Sequence, residues 1–311
     1  MRNKIKKIVT RPDFDGVVCA VLLIDAEKAS EKIVWTEPNQ IQNNEIDIYD
    51  SDIIANLPYH KNCYLWFDHH LSNEIKTSFK GKFKIAPSAA GVIYEYYKSK
   101  GFKFKRDYEN LVKETDKIDS ANLSKEEILN PESFPYIALS MTISALNESE
   151  DYWNHVVKLL SKNTIDEIVK DDTVKEEIKK LHHRNAEYKK ILLKHTIIKE
   201  KVSITDLRSF QSPPNGNRFL VFSLFPDSNV NVKIRYTKDR DRVIVSVGHS
   251  IFNRTCKVNS GYLVAKHGGG GHFGAGSCNF ESKNMEIHIK DIIDTLVKNN
   301  TINKPELSNV V

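Results

Sequence analysis

The first 120 residues alternate short apolar runs with longer ones. "KIKKIVT" reads as a strand, and "GVVCAVLLIDAEKAS" as a helix buried over most of its surface. "EIDIYDSD" and "CYLWFDHH" read as further strands, and "AAGVIYEYYKSKG" as a helix stopped by Gly101. Strands alternating with helices predict a parallel α/β sheet. From Leu123 onward the spacing turns helical, with capping boxes expected at Ser124 with Glu127, Thr164 with Glu167 and Thr173 with Glu176. The last opens a long charged helix, on whose solvated surface His182 and His183 are expected. Beyond it "VSITDL", "FLVFSLF", "NVNVKIRY" and "RVIVSVG" read as strands, punctuated by "SPPNGN" and "KDRDR". The expected division is a first domain over residues 1–196, including a helical segment 123–196, and a second over 197–311.

Composition adds limits rather than chemistry. The 311 residues are 40% hydrophobic and 28% charged, enough for two domains with cores of their own. The net charge of +5 is spread along the chain, which tolerates an anionic substrate without requiring nucleic acid. No apolar run approaches the roughly 18 residues that span a bilayer, and the first residues lack the pattern of a signal peptide. A cytoplasmic protein with no membrane partner is expected. Cys19, Cys63, Cys256 and Cys278 form no Cys-x-x-Cys pair, so reduced thiols are expected rather than a zinc ribbon.

The candidate chemistry lies where the apolar runs stop. The first ends in Asp13 and Asp15, the second in Asp50 and Asp52, and "CYLWFDHH" in Asp68, His69 and His70; "VKETDKIDSA" offers Asp116 and Asp119. Ligands of open parallel sheets bind beyond the carboxyl ends of the strands. Carboxylates gathered there resist joint ionisation unless a cation neutralises them. "DFDG" is not a calcium loop, since Val18 and Ile24 stand where glycine and glutamate are needed. Carboxylates with imidazole suit manganese or magnesium, with cobalt as a substitute. Two such ions about 4 Å apart clamp the attacking and leaving oxygens of a phosphoryl displacement.

A second unusual stretch, "AKHGGGGHFGAGSC", reads as a backbone nest for an anion, with His272 as an added donor. Its match to a dinucleotide fingerprint is set aside, because too little chain follows Gly274 to complete that fold. Arg254 is a candidate guanidinium clamp for a phosphate or carboxylate.

The ordered set "RPDFDG", "YDSD", "FDHH", "ETDKID" and "GGGGHFGAG" resembles the DHH phosphoesterase family with its DHH-associated C-terminal domain. The resemblance covers nearly the whole chain. It implies an α/β fold: a parallel-sheet catalytic domain, a helical linker, and a smaller α/β substrate-binding domain across a cleft. It implies Asp13, Asp15, Asp50, His69 and Asp116 as metal ligands, with Asp50 bridging two manganese ions. Asp68, His69 and His70 form the catalytic motif, Asp68 orienting the histidines and His70 contacting phosphate. Gly268, Gly269, Gly270, Gly271 and His272 are implied to hold the distal part of the substrate. Many relatives carry a histidine where this chain has Val9, and Arg11 nearby could supply positive charge to a phosphate instead. The activity implied is manganese-dependent hydrolysis of short oligonucleotides or small phosphorylated nucleotides, in a chain that could form a homodimer. Polyphosphate hydrolysis and non-catalytic nucleotide sensing are the alternatives.

Overall fold

Five short strands share one sheet: β1 (Ile8–Thr10), β2 (Ile33–Trp35), β3 (Ile53–Ala55), β4 (Leu65–Asp68) and β5 (Gly81–Phe83). All pairings are parallel, in the order β2-β1-β3-β4-β5. The computed structural model describes residues 6–30, 32–143 and 149–303. Strand periodicity sends alternate side chains to opposite faces. Ile8, Ile53, Ala55, Leu65 and Phe67 pack on one side with α1 (Phe14–Glu27), while Val9, Ile54 and Trp66 pack on the other with Ile41, Ile48 and Leu57. Each buried valine, leucine, isoleucine or phenylalanine among them contributes about 1.5–3 kcal/mol. Helix α1 is buried almost without interruption from Phe14 to Leu23, which explains its apolar composition.

The remaining helices of this part are α2 (Pro38–Gln42), α3 (Ala89–Ser99) and α4 (Glu109–Asp119). They are followed by α5 (Lys125–Leu129), α6 (Pro135–Ile143), α7 (Glu150–Leu160), α8 (Ile165–Ile168) and the long α9 (Asp172–His195). The capping boxes at Ser124 and Thr164 are present. The third is not: α9 is capped by Asp171, whose Oδ1 accepts from the amides of Thr173 and Val174. The helix already begins at Asp172, which places Thr173 inside its first turn rather than at its cap.

The second sheet is mixed, in the order β10-β11-β9-β8-β7-β6. Its strands are β6 (Thr196–Lys199), β7 (Val202–Asp206), β8 (Val230–Tyr236), β9 (Arg242–His249), β10 (Gly270–His272) and β11 (Ala275–Glu281). Only β7 and β8 pair in parallel. Val230, Val232 and Ile234 of β8 alternate into a core with Val243, Val245 and Val247 of β9. Ile289, Ile292 and Leu296 of α12 (Met285–Lys298) close that core. "FLVFSLF" is not a strand but α10 (Leu220–Leu224), packed on α5. A short continuous apolar run carries no period that separates helix from strand. One further helix, α11 (Ser260–Ala265), precedes β10.

The chain divides into two compact units. One holds residues up to Leu123 with Pro131–Leu181; the other holds Ser124–Asn130 with the chain from His182 onward. The division therefore falls inside α9. His182 and His183, just past it, are exposed. Among the described residues no helix is long and apolar enough to cross a membrane.

Candidate metal centre

The site forms at the carboxyl edge of the first sheet. The chain leaves β1 through Arg11 and Pro12 and turns at once into α1. A Cβ on Gly16 would lie 2.0 Å from the Arg11 carbonyl oxygen, so this turn requires glycine. Asp13 caps α1, its Oδ1 accepting from the Gly16 amide at 2.8 Å. Two residues on, Asp15 is buried, and its two oxygens accept from the amides of Ala89 and Ala90 at 2.9 and 2.8 Å. Those amides open α3, where the helix dipole favours a negative charge.

His69 follows β4. Its Nδ1 donates to the Ala86 carbonyl at 2.9 Å, which orients the ring and aims Nε2 at the carboxylates. Nε2 is buried without a hydrogen-bond partner and lies 3.4 Å from Asp119 Oδ2 and 3.8 Å from Asp15 Oδ2. Ligand atoms of Asp15, His69 and Asp119 all fall within 4.8 Å of one another. Two carboxylates converging on an imidazole nitrogen that has no hydrogen-bond partner suit a divalent cation of the manganese or magnesium type. Electrostatics agree. Burial, with the charges of Asp119 and Asp13, pushes the Asp15 carboxyl well above its ordinary range. Burial likewise pushes Asp13 up to about 6, against the lowering effect of Arg11. A cation would relieve both.

Asp68 is fully buried and does not join that cluster directly. Its Oδ1 accepts from His70 Nδ1 at 2.8 Å and its Oδ2 from Asn73 Nδ2 at 2.7 Å. His70 is thereby held with Nε2 outward, its side chain 38% exposed. Burial lowers the basicity of His70, but the bond to Asp68 and the charges of Asp68 and Asp119 outweigh it and raise its pKa.

Two expected ligands stand elsewhere. Asp50 precedes β3 rather than ending a strand, so it lies at the amino edge of the sheet, away from the cluster. It is exposed there, lining a shallow cavity with Tyr49, Tyr64 and Lys80. The Ile46 and Ile48 alternation reflects loop side chains packed under the sheet, not a strand. Asp52, also read at that strand end, is buried beside Lys7 and accepts from the Tyr49 amide. Asp116 lies one helical turn before Asp119, and its Oδ1 accepts from Ser88 Oγ at 2.6 Å. Asp119, not Asp116, faces His69. The residue that does follow β3 is Asn56, with Nδ2 2.9 Å from Asp13 Oδ1. The apolar run Ile53–Ala55 stopping at a polar residue was its sequence signal. Arg11 is shared between Glu37 at 3.1 Å and Asp13 at 3.4 Å.

In the second unit, the end of the glycine run forms the edge strand β10, and its first two glycines lead into it. Gly270, Gly271 and His272 pair with Ser277, Gly276 and Ala275. The hairpin lies so close to α11 that a Cβ on Gly261 would come within 2.4 Å of the Gly271 carbonyl oxygen. Gly268, at φ 74°, turns the chain out of α11, and Gly269 sits against Cys278. His272 and Arg254 are exposed, Arg254 Nε donating to the Ile251 carbonyl.

No protein-family model matches the sequence, and none of the curated proteins does. Solved structures do. The pGpG-specific phosphodiesterase PggH of Vibrio cholerae is 29% identical, with a TM-score of 0.82 over 96% of this chain and 100% of that one. RecJ of Thermus thermophilus, in complex with Mn2+, is 12% identical, with a TM-score of 0.59 over 98% of this chain and 53% of that one. A manganese-bound exonuclease RecJ is 10% identical, with a TM-score of 0.56 over 98% of this chain and 92% of that one. The last two likenesses carry the fold alone.

Proposed function

The chain belongs to the DHH phosphoesterase superfamily and is a hydrolase of phosphoester bonds; from that premise we propose that it is a metal-dependent phosphodiesterase of short oligonucleotides, with a linear dinucleotide such as pGpG as its substrate. The observation that carries this reading is the full-length likeness to a phosphodiesterase specific for pGpG. The unsatisfied His69 Nε2 between two carboxylates supports it independently.

Asp15, His69 and Asp119 would hold the cation, with Asp13 beside them. When bound, divalent manganese or magnesium supplies an activated water and neutralises charge on the phosphoryl group. The chain's own residues do the rest. The Ala86 carbonyl fixes the His69 tautomer, and the α3 amides fix Asp15, so neither ligand needs to reorganise. Asp68 aims His70 and, by raising its pKa, favours its proton-bearing form, which could donate from Nε2 to a phosphoryl oxygen as negative charge grows there. On the second unit, His272 and Arg254 are proposed donors to the substrate's remaining anionic groups.

The test is a manganese-supplemented hydrolysis screen over pGpG, a cyclic dinucleotide, adenosine bisphosphate and polyphosphate. Cleavage of pGpG to mononucleotides, faster than any other, is expected. Preferred cleavage of polyphosphate, or tight binding of pGpG without turnover, would overturn the reading.

A further inference from the structure

Strand β3 is the middle strand of the site, lying between β1 and β4. Its flanking strands run out into Asp13 and Asp15 on one side and Asp68, His69 and His70 on the other. Between them stands a neutral residue, Asn56. It is 2% exposed, its backbone amide donates to the Phe67 carbonyl at 3.0 Å, and it holds a left-handed backbone at φ 57°. Asparagine tolerates that conformation better than most residues. The Trp66 indole, donating to the Leu57 carbonyl at 2.9 Å, pins the next residue. The two ends of the side chain differ: Nδ2 donates to Asp13 Oδ1, and Oδ1 is buried with no hydrogen-bond partner. An acceptor that far from water costs free energy unless something satisfies it.

We propose that Asn56 is a positioning residue of the metal centre: it clamps Asp13 and, being neutral, limits the centre to one tightly held divalent cation, with a second bound only weakly. This rests on the phosphoesterase reading above. A carboxylate at this position would face Asp13 and repel it unless a cation lay between them. The carboxamide instead holds Asp13 by a hydrogen bond that needs no ion. Charge count is a principal determinant of how strongly oxygen ligands retain hard cations. One fewer carboxylate at the middle strand therefore weakens the second ion and leaves the Asp15, His69 and Asp119 cluster intact.

The experiment compares the wild type with Asn56→Asp and Asn56→Gly, both of which accept the backbone at this position. Each protein is loaded with manganese, desalted and weighed by native mass spectrometry, and its melting temperature is read with manganese and with chelator. The wild type is expected to retain one ion, and Asn56→Asp two. The melting-temperature difference between manganese and chelator should be larger for Asn56→Asp than for the wild type. Asn56→Gly, lacking the clamp, should require roughly 10-fold more manganese for half-saturation, as lost outer-shell partners do. A wild type retaining two ions, an Asn56→Asp protein retaining no more than wild type, or an Asn56→Gly protein with unchanged affinity would each overturn the proposal. Hydrolysis of pGpG by the wild type, measured separately, tests the substrate reading, so failure of one is distinguishable from failure of the other.

Discussion

His69 Nε2 lies 3.4 Å from Asp119 Oδ2, while its other ring nitrogen is committed to the Ala86 carbonyl. This relationship selects Asp119 over Asp116 as the α4 contribution to the centre. Asp119→Asn should lower manganese retention and reduce kcat/KM for pGpG by at least about 100-fold, the upper end of what outer-shell losses cost. Asp116→Asn should cost activity less, because its carboxylate is bonded to Ser88. Elemental analysis beside steady-state kinetics on both variants checks this, and equal damage would mean that α4 is misassigned.

Asp50 gives a complementary control. Exposed and at the opposite edge of the sheet, it should tolerate replacement by alanine with activity and manganese content both close to wild type. Loss of metal in Asp50→Ala would contradict its placement.

Asp68 holds His70 through a hydrogen bond at 2.8 Å. His70→Ala should retain manganese and lower kcat by roughly 100-fold or more, as loss of a positioned donor does. Asp68→Asn keeps its shape but gives up the charge that raises the His70 pKa. The ionisation of His70, followed by NMR, should therefore move to lower pH in that variant. An unmoved titration would show that Asp68 serves packing alone.

Metal-free protein should respond to pH through Asp13. Its folded pKa of about 6 exceeds the ordinary carboxylate value, so the folded state holds a proton that the unfolded chain has released. Stability from this group is fully present below about pH 4 and is lost as pH rises through about 6. Manganese competes with that proton, so the melting-temperature gain on adding manganese should be larger at about pH 7 than at about pH 5. Thermal melts with and without chelator at both values give the answer, and a gain independent of pH would remove Asp13 from the linkage.

His272 tests the second unit. His272→Ala should raise KM or lower kcat/KM for pGpG by roughly 10- to 1,000-fold if it donates to a phosphate. Metal content and hydrolysis of a nitrophenyl phosphate diester should stay near wild type, since a small ester offers no distal group to hold. Equal loss on both substrates would place His272 in the chemical step.

Periodicity and residue type alone made the parallel α/β sheet legible, along with the strand ending in Asp68, His69 and His70 and the Asp13–Asp15 turn. Those features are local: an apolar run sets a buried strand, and the polar residues that stop it must emerge at its end. What lay beyond the sequence were choices between near neighbours. Asp116 and Asp119 are one helical turn apart, and only the packing of α4 against α1 and α3 decides which carboxylate meets His69. Asp50 and Asn56 flank the same apolar run, and only strand pairing shows that Ile53–Ala55 is the strand and Asn56 its carboxyl end. The glycine run has the composition of an anion nest, and only pairing with β11 shows that Gly270, Gly271 and His272 belong to an edge strand. Composition records which groups are available; hydrogen-bond registers and helix phases, which depend on residues far away in the chain, decide which of them meet.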